Sequence, residues 1–401
     1  MRITMYELTQ QMETQLDSSY SDLSNVQEQL STGKRLLKPS DGPVDTANDI
    51  KLKGQLAEET QYHTNIQDGL NFMNVTDTAM QSMETIVQRL RELAVQGSSD
   101  TLSSSDRANM QPEVDQLFRQ LITLTNTDYN GDYVFGGTQS KIEPFPVQSS
   151  TASTAADYAG LKMAYYDGSG GVGVAAQIRN GFDNTPITNI LPGSFKLSIG
   201  NTNYVEGADF TVDYVNGTIT PLNAALAANM SPGTPNYAAG ALKMTFDYVS
   251  RGKDVFGNTV GNTGSVMREI ANGVTAQINI GGDELTVNSQ DGVDMMGAMI
   301  RFEQNLMNNN TQGINAAIGE IDDTNQSVLS AQTQNGARIN RFQTTLTQNE
   351  NQNTQTTGLI SDLEDVDMAD AATKFSTMNT VYQAALKSAA MTMQHTLADY
   401  L

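Results

Sequence analysis

The chain has 401 residues, and 45 acidic against 23 basic side chains give it a formal net charge of −22 at pH 7. This charge argues against a nucleic-acid partner, because phosphate binding needs clustered Lys and Arg, and against adhesion to an anionic membrane surface. No apolar run approaches the length of a membrane-spanning helix, so no membrane insertion is expected. Without Cys the chain has no disulfide and no thiol nucleophile, and 2 His leave few candidate catalytic groups.

The N-terminal third is predicted to be helical. Its first stretch places apolar side chains at steps of three and four residues, which indicates an amphipathic helix that ends at Gly33 in a left-handed cap. A loop fixed by Pro39 and Pro43 follows, and then two more helical runs, one over 66–94 and one beginning near Ser103. Pro112 is expected either to kink the third helix or to lie in its first turn. The first apolar stripe consists of Met5, Leu8, Met12, Leu16, Tyr20, Leu23, Val26 and Leu30.

The middle of the chain is rich in Gly and Pro and is predicted to be β-structured. Asn130-Gly131 and Asn216-Gly217 each separate two strand-forming runs, which is a strong hairpin signal. A last hairpin is predicted between residues 276–280 and 284–287, turning at Gly281-Gly282. The run 168–173 fits G-x-G-x-x-G, but no helix of useful length can begin at its last Gly, so it is interpreted as a loop.

Helical periodicity returns after Asp291. From residue 314 to 346 a heptad stripe with steps of four and three indicates helices packed side by side, although Asn and Gln interrupt it. The alternative for residues 303–357 is a disordered Asn- and Gln-rich tract. The last helix carries a stripe of Phe375, Met378, Tyr382, Ala385, Ala389, Met393 and Leu397. Apolar stripes at both ends need cover, most simply from each other and from further copies of the chain.

Few residues suggest chemistry. His63 lies one helical turn before Ile66 and is interpreted as a packing residue, and His395 has no nucleophile arrangement near it. The acidic run from Asp362 to Asp370 lacks the Gly of a calcium loop and is interpreted as a helix start. No zinc or phosphate-loop motif occurs. We therefore expect no catalytic residue, no cofactor and no metal site.

Several motifs together resemble one protein family. The loop after the first helix joins Leu30-Ser31-Thr32-Gly33-Lys34-Arg35 to Lys38-Pro39-Ser40-Asp41 and Pro43, where flagellins usually carry small residues in place of the two prolines. The further matches are 90–97, 102–103, 106–107, 126 with 130–137, 365–372 and 382–386. This set resembles the flagellar hook-filament junction family, hook-associated protein 3 (FlgL type), within the flagellin superfamily. It covers roughly residues 1–145 and 290–401, and its loop residues are Gly33, Lys34, Arg35, Pro39, Ser40, Asp41 and Pro43.

The resemblance implies an α+β, flagellin-like fold, in which long N- and C-terminal helices pack as a coiled bundle around an inserted mainly-β domain. The expected segments are 1–43, an N-terminal coiled-coil segment with its loop; 44–145, the first half of the helical core with a β-hairpin; 146–285, the outward-facing β insert; 286–357, the second half of the helical core; and 358–401, a C-terminal coiled-coil segment.

The resemblance also implies a function. Such a protein is a non-enzymatic structural adaptor in the ring between the hook-side protein and the flagellin filament. Its expected partners are other copies of itself, a hook-associated protein 1 type protein, flagellin and a flagellar export chaperone. It is expected outside the cell, on the flagellum, after export by the flagellar secretion apparatus without a cleaved signal peptide. The expected assembly residues are Met5, Leu8, Met12, Leu16, Leu23, Leu30, Phe375, Met378, Tyr382, Ala385, Ala389, Met393 and Leu397.

Two alternatives stay open at this point. The chain could be a flagellin, a filament subunit. Alternatively, the β insert could bind surface glycans through a face of exposed tyrosines, for which the candidates are Tyr165, Tyr166, Tyr204 and Tyr214.

Overall fold

A computed structural model describes residues 5–153, 164–167, 172–179, 186–230, 242–249, 264–286 and 294–398. The chain divides into two compact units. The terminal unit comprises Met1–Thr64 and Leu346–Leu401, and the central unit comprises Asn65–Thr345. The terminal unit is therefore built from two segments at opposite ends of the chain.

Helices occupy both ends of the described chain and strands occupy its middle, so the predicted fold class is confirmed. The helices are α1 (Met5–Thr32), α2 (Pro43–Gly97), α3 (Ser104–Thr125), α4 (Ala224–Met230), α5 (Gly282–Thr286), α6 (Met295–Met307), α7 (Thr311–Glu364) and α8 (Met368–Ala398). The strands are β1 (Asp128–Tyr129), β2 (Asp132–Tyr133), β3 (Val147–Ser153), β4 (Ala164–Asp167), β5 (Ala176–Arg179), β6 (Lys196–Ile199), β7 (Thr202–Tyr204), β8 (Phe210–Asp213), β9 (Thr218–Pro221), β10 (Leu242–Val249), β11 (Met267–Ala271) and β12 (Val274–Gln277).

Helix α3 begins with a capping box. The Ser103 hydroxyl accepts a hydrogen bond from the Asp106 N–H, and the Asp106 carboxylate accepts one from the Ser103 N–H. Pro112 lies inside this helix, so the expectation that it could occupy the first turn is wrong. The helix continues past Pro112 because Val114 and Phe118 are both fully buried, and tertiary packing outweighs local propensity.

Within the described residues, one sheet has the strand order β7-β6-β10-β3-β4-β5-β9-β8. Its neighbouring strands are antiparallel except for β3 and β4. Both predicted Asn-Gly hairpins are present, β1–β2 and β8–β9. At the second turn Gly217 has φ +66, and a Cβ there would lie 1.8 Å from the Ile187 carbonyl oxygen. Only glycine fits that position.

The last predicted hairpin is wrong. β11 pairs instead with β12, and the chain turns between them at Asn272-Gly273, where Gly273 has φ +69. Residues 282–286 form helix α5 rather than a strand. Asp283 and Glu284 lie in the first turn of α5, where acidic side chains stabilise a helix N-terminus. Leu285, in the same helix, is buried.

The heptad stripe lies on α7, which is continuous over Thr311–Glu364, so the disordered alternative is wrong. Ile314, Ile321, Val328 and Phe342 are buried in the central unit. Asn335, a polar member of the stripe, is also buried, and its side-chain amide donates to the Met73 carbonyl at 2.9 Å. A satisfied buried amide of this kind can fix the register of two packed helices.

Candidate assembly interface

The two predicted stripes meet in the terminal unit, where α1 packs along α8. The rings of Tyr20 and Tyr382 lie 5.9 Å apart between centroids. Val26 and Ala371 are buried. The other described stripe residues are half-buried: Met12, Leu16, Leu23, Leu30, Phe375, Met378, Tyr382, Ala385 and Ala389. The side chains of Met5, Leu8, Met393 and Leu397 lie outside the described residues.

The α1–α8 pair leaves apolar surface uncovered. Tyr20 is 60% exposed, Val381 53%, Leu386 44% and Met391 55%. Fully burying one such side chain contributes about 1.5–3 kcal/mol, so covering several together would stabilise an association. The pair is therefore a candidate surface for contact with further helices.

A loop joins α1 to α2, and we call residues 33–43 the motif loop because it holds Gly33, Lys34, Arg35, Pro39, Ser40, Asp41 and Pro43.

The first residues of the motif loop pair with the link between α7 and α8. The Val366 N–H donates to the Gly33 carbonyl at 2.9 Å, and the Arg35 N–H donates to the Glu364 carbonyl at 2.6 Å. Lys34 and Asp365 form the antiparallel bridge between these bonds. Gly33 adopts φ +71, which confirms the left-handed cap expected at the end of α1. We call residues 33–35 with 363–366 the clamp.

The clamp is also charged. The Glu364 carboxylate lies 2.5 Å from Lys34 Nζ and 3.0 Å from Lys53 Nζ, and only 10% of its side chain is exposed. Burial alone would raise the pKa of Glu364, but the hydrogen bonds from Lys34 and Lys53 outweigh it and lower that pKa. Hydrogen bonds to Asp49 and Glu364 raise the pKa of Lys53. Glu364 is therefore held ionised between two ammonium groups.

The rest of the motif loop holds its own shape. Arg35 Nη2 donates to the Leu363 carbonyl at 2.8 Å and to Asp45 at 3.0 Å. The Asp41 carboxylate accepts from the backbone N–H groups of residues 37 and 38, which closes the turn that contains Pro39 and Ser40. Pro43 is the first residue of α2, where its missing N–H costs no intrahelical hydrogen bond.

The acidic run from Asp362 to Asp370 contains the start of helix α8, as the sequence predicted. The Asp367 carboxylate accepts the N–H groups of Ala369 at 2.9 Å and Asp370 at 3.2 Å, and so caps α8. Sequence reasoning missed that Glu364 in this run binds Lys34, which lies 330 residues away in the chain. No local pattern could reveal that contact.

Sequence reasoning also missed a buried polar seam between α2 and α7 in the terminal unit. Glu59 is 6% exposed, and its carboxylate accepts from Gln55 at 2.8 Å and from Thr356 at 3.3 Å. Asn349 donates to the Glu59 carbonyl at 3.1 Å. His63 lies beside this seam, half-buried, with its Nε2 3.7 Å from Glu350. These groups specify how the two helices pair.

The described residues give little support to the other chemistry considered. They contain no cluster of three or more His, Cys, Asp or Glu placed to hold a metal ion. No helix among them is long and apolar enough to cross a membrane. Tyr214 is 1% exposed, so it cannot belong to an exposed sugar-stacking face. The side chains of Tyr165 and Tyr166 and the first part of the glycine-rich run 168–173 lie outside the described residues, and the segment that follows forms strand β5.

Two family models match the chain, the bacterial flagellin N-terminal helical region over residues 3–140 and the bacterial flagellin C-terminal helical region over residues 318–401. Together these matches contain α1, α2, α3, α8 and most of α7, including the clamp. The chain therefore belongs to the bacterial flagellin family.

Within this family, the chain is similar to both a hook-associated protein and a flagellin. Flagellar hook-associated protein 3 of Escherichia coli is 31% identical over 146 residues, which are 36% of this chain and 46% of that protein. Flagellin of Clostridium tyrobutyricum is 26% identical over 398 residues, which are 94% of each chain. The match thus spans less than half the length of hook-associated protein 3. A solved structure from Vibrio parahaemolyticus, described as flagellar hook-associated, shares the fold with a TM-score of 0.50 at 14% identity, covering 81% of this chain and 100% of that one.

Proposed function

We propose that this protein is a structural adaptor of the bacterial flagellum, a subunit of the junction ring between the hook-side protein and the flagellin filament. The observation that carries the proposal is the α1–α8 pair, whose apolar stripes cover each other only partly. The similarity to hook-associated protein 3 supports the junction role. The two prolines of the motif loop support it too, because flagellins usually carry small residues there.

In this proposal the partners are other copies of the chain, a hook-associated protein 1 type protein, flagellin and an export chaperone. The protein would act outside the cell after export by the flagellar secretion apparatus. The thirteen stripe residues named from the sequence form the proposed assembly surface, and residues 146–285 the proposed outward-facing domain. Ala385 and Ala389 are small, so a neighbouring helix can approach α8 closely there, with Phe375 as a bulky anchor.

The substitution Ala389→Asp tests this surface. It places a carboxylate on the half-buried face of α8, and an uncompensated charge in an assembled seam costs several kcal/mol. We expect a secreted monomer that does not enter the ring, so that hooks lack filaments and flagellin is shed into the medium. Gln383→Asp is the matched control, because it adds the same charge on the exposed side of α8 that also carries Thr380 and Lys387. We expect that control to support filament growth.

An add-back assay separates assembly from export. Purified Ala389→Asp protein is supplied from outside to bare hooks of a strain that lacks the wild-type chain. Absence of filaments supports a packing role for this face. Filament growth from the added variant would overturn it and leave an export or chaperone-binding role.

One alternative is favoured by a specific observation. The flagellin match covers 94% of this chain, far more than the match to hook-associated protein 3, which is consistent with a filament subunit. Seeded polymerisation separates the two functions. Purified chain that elongates flagellar seeds into long filaments would establish the alternative and exclude the junction role, whereas growth limited to a short cap supports the junction role.

A further inference from the structure

A polar cavity lies inside the central unit, between the inserted sheet and the end of helix α6. Its volume is about 720 Å³, which falls within the range of about 300–1,000 Å³ that is typical of small-molecule sites. Strands β8 and β9 with their connecting turn supply one wall, and α6 with the loop after it supplies the other. No residue of α1 or α8 lines the cavity, so it is separate from the proposed assembly surface.

The wall on the insert side is held in shape by Asp213 at the end of β8. Its carboxylate accepts the backbone N–H groups of Val215 at 3.1 Å and Asn216 at 3.0 Å, and the side-chain amide of Asn216 at 2.7 Å. The Asn216 side chain therefore uses its donor within the turn, and its Oδ1 has no hydrogen-bond partner in the described part of the chain. Thr211 and Thr220, which are cross-strand neighbours, add two hydroxyls to the same wall.

The wall on the helical side is held in a similar way. Gln304 Nε2 donates to the Val212 carbonyl at 3.0 Å, which leaves Gln304 Oε1 without a partner among the described residues. Asn305 Oδ1 accepts from the Asn310 side chain at 3.0 Å, which leaves Asn305 Nδ2 as an unused donor there. A Cβ on Gly313 would lie 2.1 Å from Asn305 Oδ1, so glycine at that position makes room for this amide. Each amide is thus oriented by one end and available at the other.

The charged groups of the lining are two carboxylates and one guanidinium. Among the described residues Arg301 hydrogen-bonds through Nε only, to Glu320 at 2.8 Å. The Glu206 carboxylate accepts the Tyr214 hydroxyl at 2.5 Å and a backbone N–H of β8. The second carboxylate is the one that holds the β8–β9 turn. Both carboxylates therefore repel an anion, and both already have hydrogen-bond donors from the chain, which reduces what they can offer a cation.

We propose that this cavity binds a neutral saccharide. A hydroxyl group donates one hydrogen bond and accepts others, so sugar hydroxyls can donate to the available oxygens of Asn216 and Gln304. They can also accept from the available N–H groups of Asn305 and Arg301. Met307 lines the cavity and is 39% exposed, so its flexible thioether side chain can contact the C–H face of a sugar ring.

The arrangement favours such a ligand for two physical reasons. Polar groups that are oriented before binding lose little conformational entropy when the ligand arrives. An apolar ligand, in contrast, would desolvate these amides and leave them unpaired, which is unfavourable. The site also differs from the tyrosine face considered from the sequence, because Tyr214 is 1% exposed and offers no ring surface for stacking.

Saturation-transfer NMR with the full-length chain tests the proposal. The probes are glucose, galactose and mannose, each beside its anionic uronate and its cationic 2-amino sugar. We expect at least one neutral sugar to bind with a Kd of about 1 mM or tighter, and about 10-fold more tightly than its two charged forms. Absence of binding by all three neutral sugars at about 10 mM would overturn the proposal. A charged form that binds as tightly as its neutral parent would overturn it too.

Matched variants test whether the sugar occupies this cavity. Asn305→Asp keeps the oxygen that Asn310 binds but replaces the available donor by a carboxylate, so affinity should fall at least about 10-fold. Asn203→Asp makes the same change on the exposed strand β7, outside the cavity, and should keep the wild-type affinity. Equal affinities of these two variants, whether retained or lost, would overturn the site.

A second variant guards against a folding defect in the first. Thr220→Val removes one hydroxyl of the cavity with little change in side-chain shape, and should weaken binding about threefold. Urea unfolding of each variant shows whether the central unit keeps its stability. Wild-type affinity in a stably folded Thr220→Val chain, together with wild-type affinity in Asn305→Asp, would place the sugar elsewhere and refute the assignment.

Discussion

Replacing Glu364 by Ala should open the clamp in the terminal unit. The substitution removes the ion pairs with Lys34 at 2.5 Å and Lys53 at 3.0 Å. The two lysine side chains are 47% and 45% exposed, so solvent screens them and each pair contributes about 1 kcal/mol at most. Loss of both pairs should therefore cost the clamp up to about 2 kcal/mol, which corresponds to an increase in local opening of up to about 30-fold.

The assay for Glu364→Ala is hydrogen exchange at two amides that cross the clamp. The Arg35 N–H donates to the Glu364 carbonyl and the Val366 N–H donates to the Gly33 carbonyl, so both report on its opening directly. The matched control is Glu92→Gln, which removes an exposed pair with Arg89 and should leave these amides unchanged. Unchanged protection of Arg35 and Val366 in Glu364→Ala would refute the electrostatic account of the clamp.

The clamp also has a predictable pH dependence. The folded chain lowers the pKa of Glu364, so the carboxylate stabilises the clamp at pH values above its ordinary pKa of 4.5. That stabilisation is lost as the pH falls through the lowered value, because protonation removes the charge that the two lysines bind. Protection of the Arg35 amide should therefore decrease in acid in the wild-type chain, and far less in Glu364→Ala.

Three further substitutions test the central unit, each by urea unfolding. Gly217→Ala should destabilise the central unit by at least about 2 kcal/mol, because the new Cβ would meet the Ile187 carbonyl and the backbone has positive φ. An unchanged urea midpoint would contradict this geometry. Phe118→Ala should cost about 3–5 kcal/mol, because the side chain is 0% exposed and leaves a cavity, and a loss below about 1 kcal/mol would count against the packing. Asn335→Ala should lower the free energy of unfolding by about 1–3 kcal/mol, since it leaves the buried Met73 carbonyl without its donor. A more stable variant would show that this hydrogen bond is dispensable.

The sequence predicted the elements whose signals are local and repeated. α1 and α7 follow from apolar side chains at steps of three and four, and the β1–β2 hairpin follows from Asn130-Gly131, which adopts positive φ at both residues. The last hairpin was misplaced because a four-residue alternation around Gly281-Gly282 competed with the true turn at Gly273. Short runs of this kind do not distinguish a strand from a helical turn that begins with acidic residues.

The charged contacts could not be predicted from the sequence in the same way. Glu364 is one of several acids in a run, and nothing near it in the sequence indicates Lys34 as its partner. Glu303 lies on a helix with other polar residues and has the appearance of a solvated side chain, yet it is 0% exposed. Both environments arise when distant segments pack, so only the folded chain shows that the pKa of one carboxyl is lowered and that of the other is raised.

The clamp also sets the order in which the terminal unit can form. Its hydrogen bonds join Gly33 and Arg35 to a link more than three hundred residues further along the chain. A chain that emerges from its N-terminus, during synthesis or threading, cannot close these bonds until Glu364 and Val366 have emerged. Contacts of such high sequence separation form late and slowly, because loop-closure entropy opposes them until both ends are present. The apolar stripe of α1 therefore stays without its α8 partner until α8 has also emerged, so only a chain that already contains both helices presents their paired surface.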